Sequence, residues 1–393
     1  MTQPIVQVGL ERIGSVRPEL KDARVGLVLH PASVDSRLRL AVDVLLEADF
    51  NVVSLFGPQH GARGEKQDNM IESDHYLDPV TGLPVHSLYS EVRKPTPEML
   101  AGLDAVVFDL QDVGVRVYTF VWTMALIMEA CAESGVRVVV LDRPNPVGLS
   151  AREGSVLRSG FESFVGLHPI PLRHGLTAGE LARWLVGARG IDCALDVIEC
   201  SGLTRSMTWQ EMGLPWVMPS PNLPTIDSCV VYPGMVLLEG TNLSEGRGTT
   251  RPFELFGAPW LDAEALVKSA ADSIGPGVRL RAVHFEPTFQ KHAGRVCGGA
   301  QLHVTDPGLF QPVRATVALL AAVKRLAPED FAWRNPPYEY EEDLAPIDIL
   351  WGSSLLREGV DAGLGPDAIL DGVAGEITAF ETSIESHLLY SAE

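Results

Sequence analysis

The chain has 393 residues, with 51 Asp and Glu against 31 Lys and Arg, a formal net charge of −20 at pH 7. Hydrophobic residues make up 46% and charged ones 21%, a globular balance that excludes a disordered chain. With so much negative charge and no Lys/Arg cluster to reverse it locally, neither nucleic acid nor anionic membrane is expected as a partner.

In chain order, residues 24–29 read as a buried strand, 38–47 as a helix and 51–56 as a second strand. Residues 57–84 form a polar stretch rich in Gly and Pro, long enough to suggest a functional loop. Pro95-Thr96-Pro97-Glu98 has the cap, proline and acid of a helix start. Residues 105–110 are a third strand, and 118–134 a helix ended by Gly135. A fourth strand at 137–141 precedes a helix at 177–185, where Thr177 and Glu180 have capping-box spacing. Another strand covers 195–200, and a helical stretch 225–238 follows a Pro-rich turn. Continuously apolar strands alternating with helices imply an α/β, Rossmann-like doubly wound parallel sheet. From residue 262 the pattern changes to helix 262–274, alternating strands 279–285 and 300–305, helix 313–326, an acidic loop 336–343 and two helical segments after 367. A catalytic domain over 1–261 and a smaller α+β domain over 262–393 are therefore expected.

The first ten residues carry no basic segment leading into an apolar one, and no apolar run approaches ~18 residues. The five cysteines, Cys131, Cys193, Cys200, Cys229 and Cys297, are scattered without a C-x-x-C. A reducing, cytoplasmic setting is the expectation. No G-x-G-x-x-G, P-loop, G-x-S-x-G or H-E-x-x-H pattern occurs, so no cofactor and no metal are expected.

Ligands of open parallel sheets bind beyond the carboxyl ends of the strands. The segments there are GPQHGARGE (57–65), DLQDVGVR (109–116) and DRPNP (142–146), all dense in directed hydrogen-bonding groups. Asp109 or Asp112 can equally cap the helix that follows, with Arg116 or Arg143 paired to them. Residues 239–254 add carboxylates, hydroxyls and the arginines Arg247 and Arg251, suited to a sugar or a carboxylate.

Several long strings carry a resemblance: FGPQHGARG (56–64), FDLQDVGVRVYTF (108–120), LDRPNP (141–146), FVGLHPIPLRHGLTAGEL (164–181), PSPNLPT (219–225) and EGTNLSEGRGTTRPFELFGAP (239–259). From about residue 9 to 390 the chain resembles the NamZ family of exo-acting β-N-acetylmuramidases. The resemblance implies a glycoside hydrolase without cofactor, releasing N-acetylmuramic acid from the non-reducing end of peptidoglycan fragments such as MurNAc-β-1,4-GlcNAc. It also implies a cleft between the two domains. One position departs: related chains read G-P-E-H-G, with the presumed catalytic Glu where this chain has Gln59. An amide cannot exchange a proton near pH 7, so Glu65 in the same loop becomes the candidate acid, with Glu239 or Asp112 assisting. The candidate sugar ligands are Gln59, His60, Asp109, Gln111, Arg116, Tyr118, Arg143, Asn145, His174, Asn222, Asn242, Arg247 and Arg251. Arg116, Arg143, Arg247 and Arg251 are the candidates for the lactyl carboxylate. A sugar-binding relative without catalysis, or a hydrolase for another N-acylated sugar, stays open as an alternative at Gln59.

Overall fold

The computed structural model describes residues 5–59, 61–62, 64, 75–89 and 92–392. The chain enters through helix α1 (Gly9–Val16) and strand β1 (Val25–Leu29), then α2 (Ala41–Glu47) and β2 (Val52–Gly57). β3 (Tyr76–Leu77), β4 (Pro84–Ser87), the short α3 (Pro97–Leu100), β5 (Ala105–Asp109), α4 (Phe120–Ser134) and β6 (Arg137–Leu141) follow. β7 (Glu153–Val156) and β8 (Pro171–Arg173) pair antiparallel before α5 (Ala178–Arg189) and β9 (Leu195–Ile198). The main sheet has the order β3-β4-β2-β1-β5-β6-β9, with every pair parallel except β3–β4.

Alternate strand residues supply two cores. Leu27, Val107, Val139 and Leu141 pack with Leu10, Ile13, Val42 and Leu45 of α1 and α2. Val28, Val106, Phe108 and Val140 pack on the other side with Phe120, Met124, Leu181 and Leu185 of α4 and α5. A sheet covered on both faces needs such continuous apolar strands. α4 ends where Gly135 turns left-handed at φ 67°. The Thr177–Glu180 capping box forms as its spacing predicts.

Some boundaries differ from those the sequence suggests. α2 starts only at Ala41, because Leu38 takes φ 65° and Leu40 is extended. The stretch 225–238 divides into α7 (Ile226–Met235), which follows the short α6 (Trp209–Met212), and a tighter 3₁₀ turn over Val236–Gly240. The second sheet has the order β10-β12-β11: β10 (Leu255–Ala258), β11 (Val278–Phe285) and β12 (Cys297–Val304). β10 thus precedes residue 262 and yet pairs with β12. Around this sheet lie α8 (Ala263–Ala270), α9 (Pro312–Leu326), α10 (Pro346–Trp351), α11 (Leu355–Asp361) and α12 (Pro366–Ile384). No helix among the described residues is long and apolar enough to cross a membrane.

Candidate active site

β1 has β2 on one side and β5 on the other, so the winding reverses between β1 and β5, and past the carboxyl ends of these strands run the loops that leave β2 and β5. A cleft of about 440 Å³ lies at these loops, walled by Gln59, Thr119 and Tyr118 from the first body. Tyr232, Glu239, Arg247 and Phe253 close it from α7 and the segment behind it, and Tyr338 and Glu339 come from the acidic loop.

Glu239 is the hub. Its Oε1 accepts from Arg247 Nη2 at 2.7 Å and its Oε2 from the Tyr338 hydroxyl at 2.8 Å. Arg247 Nε also lies 3.3 Å from Glu245, which is 2.9 Å from Lys291 Nζ. Burial opposes the Arg247 charge, but the Glu239 and Glu245 carboxylates outweigh it and raise its pKa. Burial likewise opposes ionisation of Glu245, and Lys291 and Arg247 outweigh that, lowering its pKa. The Arg247 guanidinium sits 5.2 Å from the Phe253 ring centroid.

Facing Glu239 is Glu339, only 5% exposed. Burial, reinforced by the Glu239 charge, pushes its pKa up to about 7 against the opposing pull of Tyr89, Arg247 and Arg93. Two carboxyls in one cleft thus have divergent environments, one matched by a guanidinium and one left protonated near neutrality.

The other sequence candidates divide by environment. Gln59, Tyr118, Glu239 and Arg247 meet in the cleft. Arg143 is not available there: its Nε and Nη2 hold Asp109 at 2.5 and 2.8 Å, both groups buried, and its Nη1 donates to Val34 O. Arg143 and Gln111 line a neighbouring cavity of about 340 Å³. Asp112 accepts from Gly114 N–H and lies 3.2 Å from His174 Nε2, a pair outside the cleft wall. Three candidate ligands turn out to be structural, because backbone groups already use their polar atoms. Arg116, 0% exposed, donates to Ser155 O, Ile170 O and Leu350 O. Asn145 bridges Val147 N–H and Leu176 O, and Asn242 bridges Ala332 N–H and Asp330 O. Arg251 is 46% exposed and faces Glu254 and Asp227. Asn222 is buried beside the cleft residue Ser220, and its Nδ2 has no hydrogen-bond partner among the described residues. His60 and Glu65 lie outside the described residues.

Sequence reasoning missed Glu339 and Tyr338, because Pro336–Asp343 looks like a solvated acidic loop. The signal it passed over is the alternation of Tyr with Glu, since aromatic side chains need a surface to pack on. Among the described residues no cluster of three or more His, Cys, Asp or Glu is placed to hold a metal.

Two family models cover almost the whole chain. The N-terminal domain of the exo-β-N-acetylmuramidase NamZ matches residues 25–227, and its C-terminal domain matches 230–390. The peptidoglycan β-N-acetylmuramidase NamZ of Bacillus subtilis (strain 168) is 42% identical over 390 residues, 99% of this chain and 92% of that protein. Two DUF1343 family proteins of Bacteroides fragilis NCTC 9343, known from crystal structures, share the fold. One superimposes with a TM-score of 0.88 at 33% identity, covering 98% of this chain and 99% of that one. The other gives 0.77 at 29% identity, covering 99% of each chain. With its sheet, its interdomain cleft and both halves matched, the chain belongs to the NamZ family of exo-β-N-acetylmuramidases.

Proposed function

We propose that the cleft hydrolyses the β-glycosidic bond of a terminal N-acetylmuramic acid, releasing that sugar from the non-reducing end of peptidoglycan fragments. The observation that carries the reading is the pair Glu239 and Glu339 in one cleft with opposed electrostatics. Glycosides are cleaved through an oxocarbenium-like transition state, which a nearby carboxylate stabilises while a protonated carboxyl assists the leaving oxygen. Glu239 takes the place of the stabilising carboxylate, its position set by Arg247 and Tyr338.

N-acetylmuramic acid is an anion, and a chain of charge −20 repels it at long range. A local cation must reverse that field. Arg143 is occupied by Asp109, Arg116 by three carbonyls, and Arg251 is half exposed. Arg247 lines the cleft, with Nε and Nη2 turned to Glu245 and Glu239. Its Nη1 has no protein acceptor among the described residues, and we assign it to the lactyl carboxylate. The Asn222 amide, with an unused donor beside Ser220, suits the 2-acetamido carbonyl. Recovery of wall sugars from imported fragments in the cytoplasm completes the reading. It is supported by five buried cysteines held as free thiols.

The test is incubation of the purified protein with MurNAc-β-1,4-GlcNAc and with the same disaccharide capped by GlcNAc on its non-reducing end. Free MurNAc from the first and none from the second is the expected result. Binding of both without turnover contradicts the reading.

A further inference from the structure

The acidic loop does something a solvated loop does not. Tyr338 N–H donates to Glu341 O and Glu341 N–H to Tyr338 O, both at 2.9 Å, which closes a two-residue turn around Glu339 and Tyr340. Both central residues have positive φ, 47° and 69°. Such turns favour Asn-Gly, and a larger side chain in the left-handed region is strained. Strain of this kind persists where surrounding structure enforces it, commonly at working sites. Here the turn places the Glu339 side chain in the cleft. Arg93 stacks over Tyr340 at 4.1 Å and over Phe164 at 5.0 Å, which anchors the turn to the first body.

A directional chain of hydrogen bonds ends on Glu339. The Thr119 hydroxyl donates to Gln59 Oε1 at 2.7 Å. With its oxygen so used, the Gln59 amide nitrogen donates to the Tyr89 hydroxyl at 3.2 Å. Tyr89 in turn donates to Glu339 Oε2 at 3.4 Å. Oε2 is therefore an acceptor, and a proton on this carboxyl belongs on Oε1. The groups facing Glu339 are Glu239 and Arg247 behind α7, Tyr232 on α7, Tyr89 and Arg93 behind β4, and Tyr338 in its own turn.

We propose that Glu339 is the proton donor of glycosidic cleavage, and that Thr119, Gln59 and Tyr89 are its positioning residues. The assignment rests on the glycosidase reading above. As the C1–O bond breaks, its electron pair goes to the leaving oxygen, which takes the proton from Glu339 Oε1. Water then adds to C1 and returns a proton to the Glu339 carboxylate, so the enzyme is restored and one water is consumed. Gln59 has a definite part in this: an amide transmits orientation without competing for the proton, as a third carboxyl in the cleft would.

Aryl β-MurNAc glycosides with leaving phenols of graded acidity, together with the disaccharide, provide the test. For Glu339→Gln, kcat/KM on the disaccharide should fall by about 10²–10⁴-fold while the dinitrophenyl glycoside loses only a few-fold. The decline of wild-type activity as pH rises through about 7 should vanish with it. Because Tyr89 favours the ionised carboxyl, Tyr89→Phe should move that decline to higher pH, a shift a purely structural role does not produce. Equal losses on every leaving group, or a basic limb that follows Glu65→Gln instead, overturn the assignment alone. A wild type inert toward the whole series overturns the glycosidase reading and the assignment with it.

Discussion

Four arginines stood as equivalent candidates for an anionic sugar, and what surrounds each guanidinium separates them. Arg247 lines the cleft between two carboxylates, and it is the one we assign to the lactyl group. Replacing it by Met should reduce the preference for MurNAc over GlcNAc glycosides by about 10²-fold, measured as the ratio of kcat/KM values. Arg116 belongs to the opposite class. Its charge is enclosed, burial lowers its pKa to about 9 against the pull of Glu376, and three carbonyls use its protons. Arg116→Met takes its donors from Ser155 O and Leu350 O and leaves Ile170 O with Leu157 N–H alone, so urea unfolding should show a loss of about 3 kcal/mol or more. The protein should keep its preference for MurNAc, since Arg116 does not touch the cleft.

Among elements, the contact between α7 and α9 sets where the Glu239 segment lies. Gly234 makes that contact possible: a Cβ there would meet Pro312 O at 2.0 Å, so the helices cannot keep their separation with any side chain. Gly234→Ala should therefore destabilise the fold by about 2 kcal/mol or more and lower kcat, because Glu239 follows five residues later. Gly135 is the comparison case. It has open space around it and only its φ of 67° to satisfy, so Gly135→Ala should cost about 1 kcal/mol and leave kcat intact. Thermal melts and turnover of the two variants side by side separate packing from backbone conformation. The capping box, the Gly135 stop and the four apolar strands of the first body were legible because each depends on neighbours within a few residues.

At the scale of the molecule, the chain closes on itself. Tyr390, near the end, donates to Asp142 Oδ2 at 2.5 Å and accepts from Cys200 N–H, so the last segment is tied to the carboxyl ends of β6 and β9. Arg116 reaches Leu350 in the same way, linking the first body to α10. Burial raises Asp142 to about 7, against the Tyr390, Gly179 and Thr177 hydrogen bonds. Asp142 and Glu339 both have folded pKa values above their ordinary ones. Their contribution to stability is therefore complete at low pH and is lost as pH rises toward and through about 7. Unfolding free energies across pH 5–8 should fall by at most about 1.4 kcal/mol per unit for each group, and Asp142→Asn should flatten the slope.

The sheet, the helices that cover it, the strand ends where polar residues collect, and the family were all legible in the residues alone. Those features are local: periodicity over a few turns, caps within three residues, and long motif strings. The sequence also named Gln59, Tyr118, Glu239 and Arg247, because they stand in those strings. Which polar residues line the cleft, by contrast, is visible in the folded chain alone. Asp109 and Arg143 are 34 residues apart and neutralise each other, and Arg116 is met by a carbonyl 234 residues away. Glu239 and Glu339 face one cleft from far along the chain, the first hydrogen-bonded by Arg247 and the second raised toward neutrality by burial. A net charge of −20 can bar a polyanion at long range, but the sign of the field inside a buried cleft is set by the few charges folded next to it.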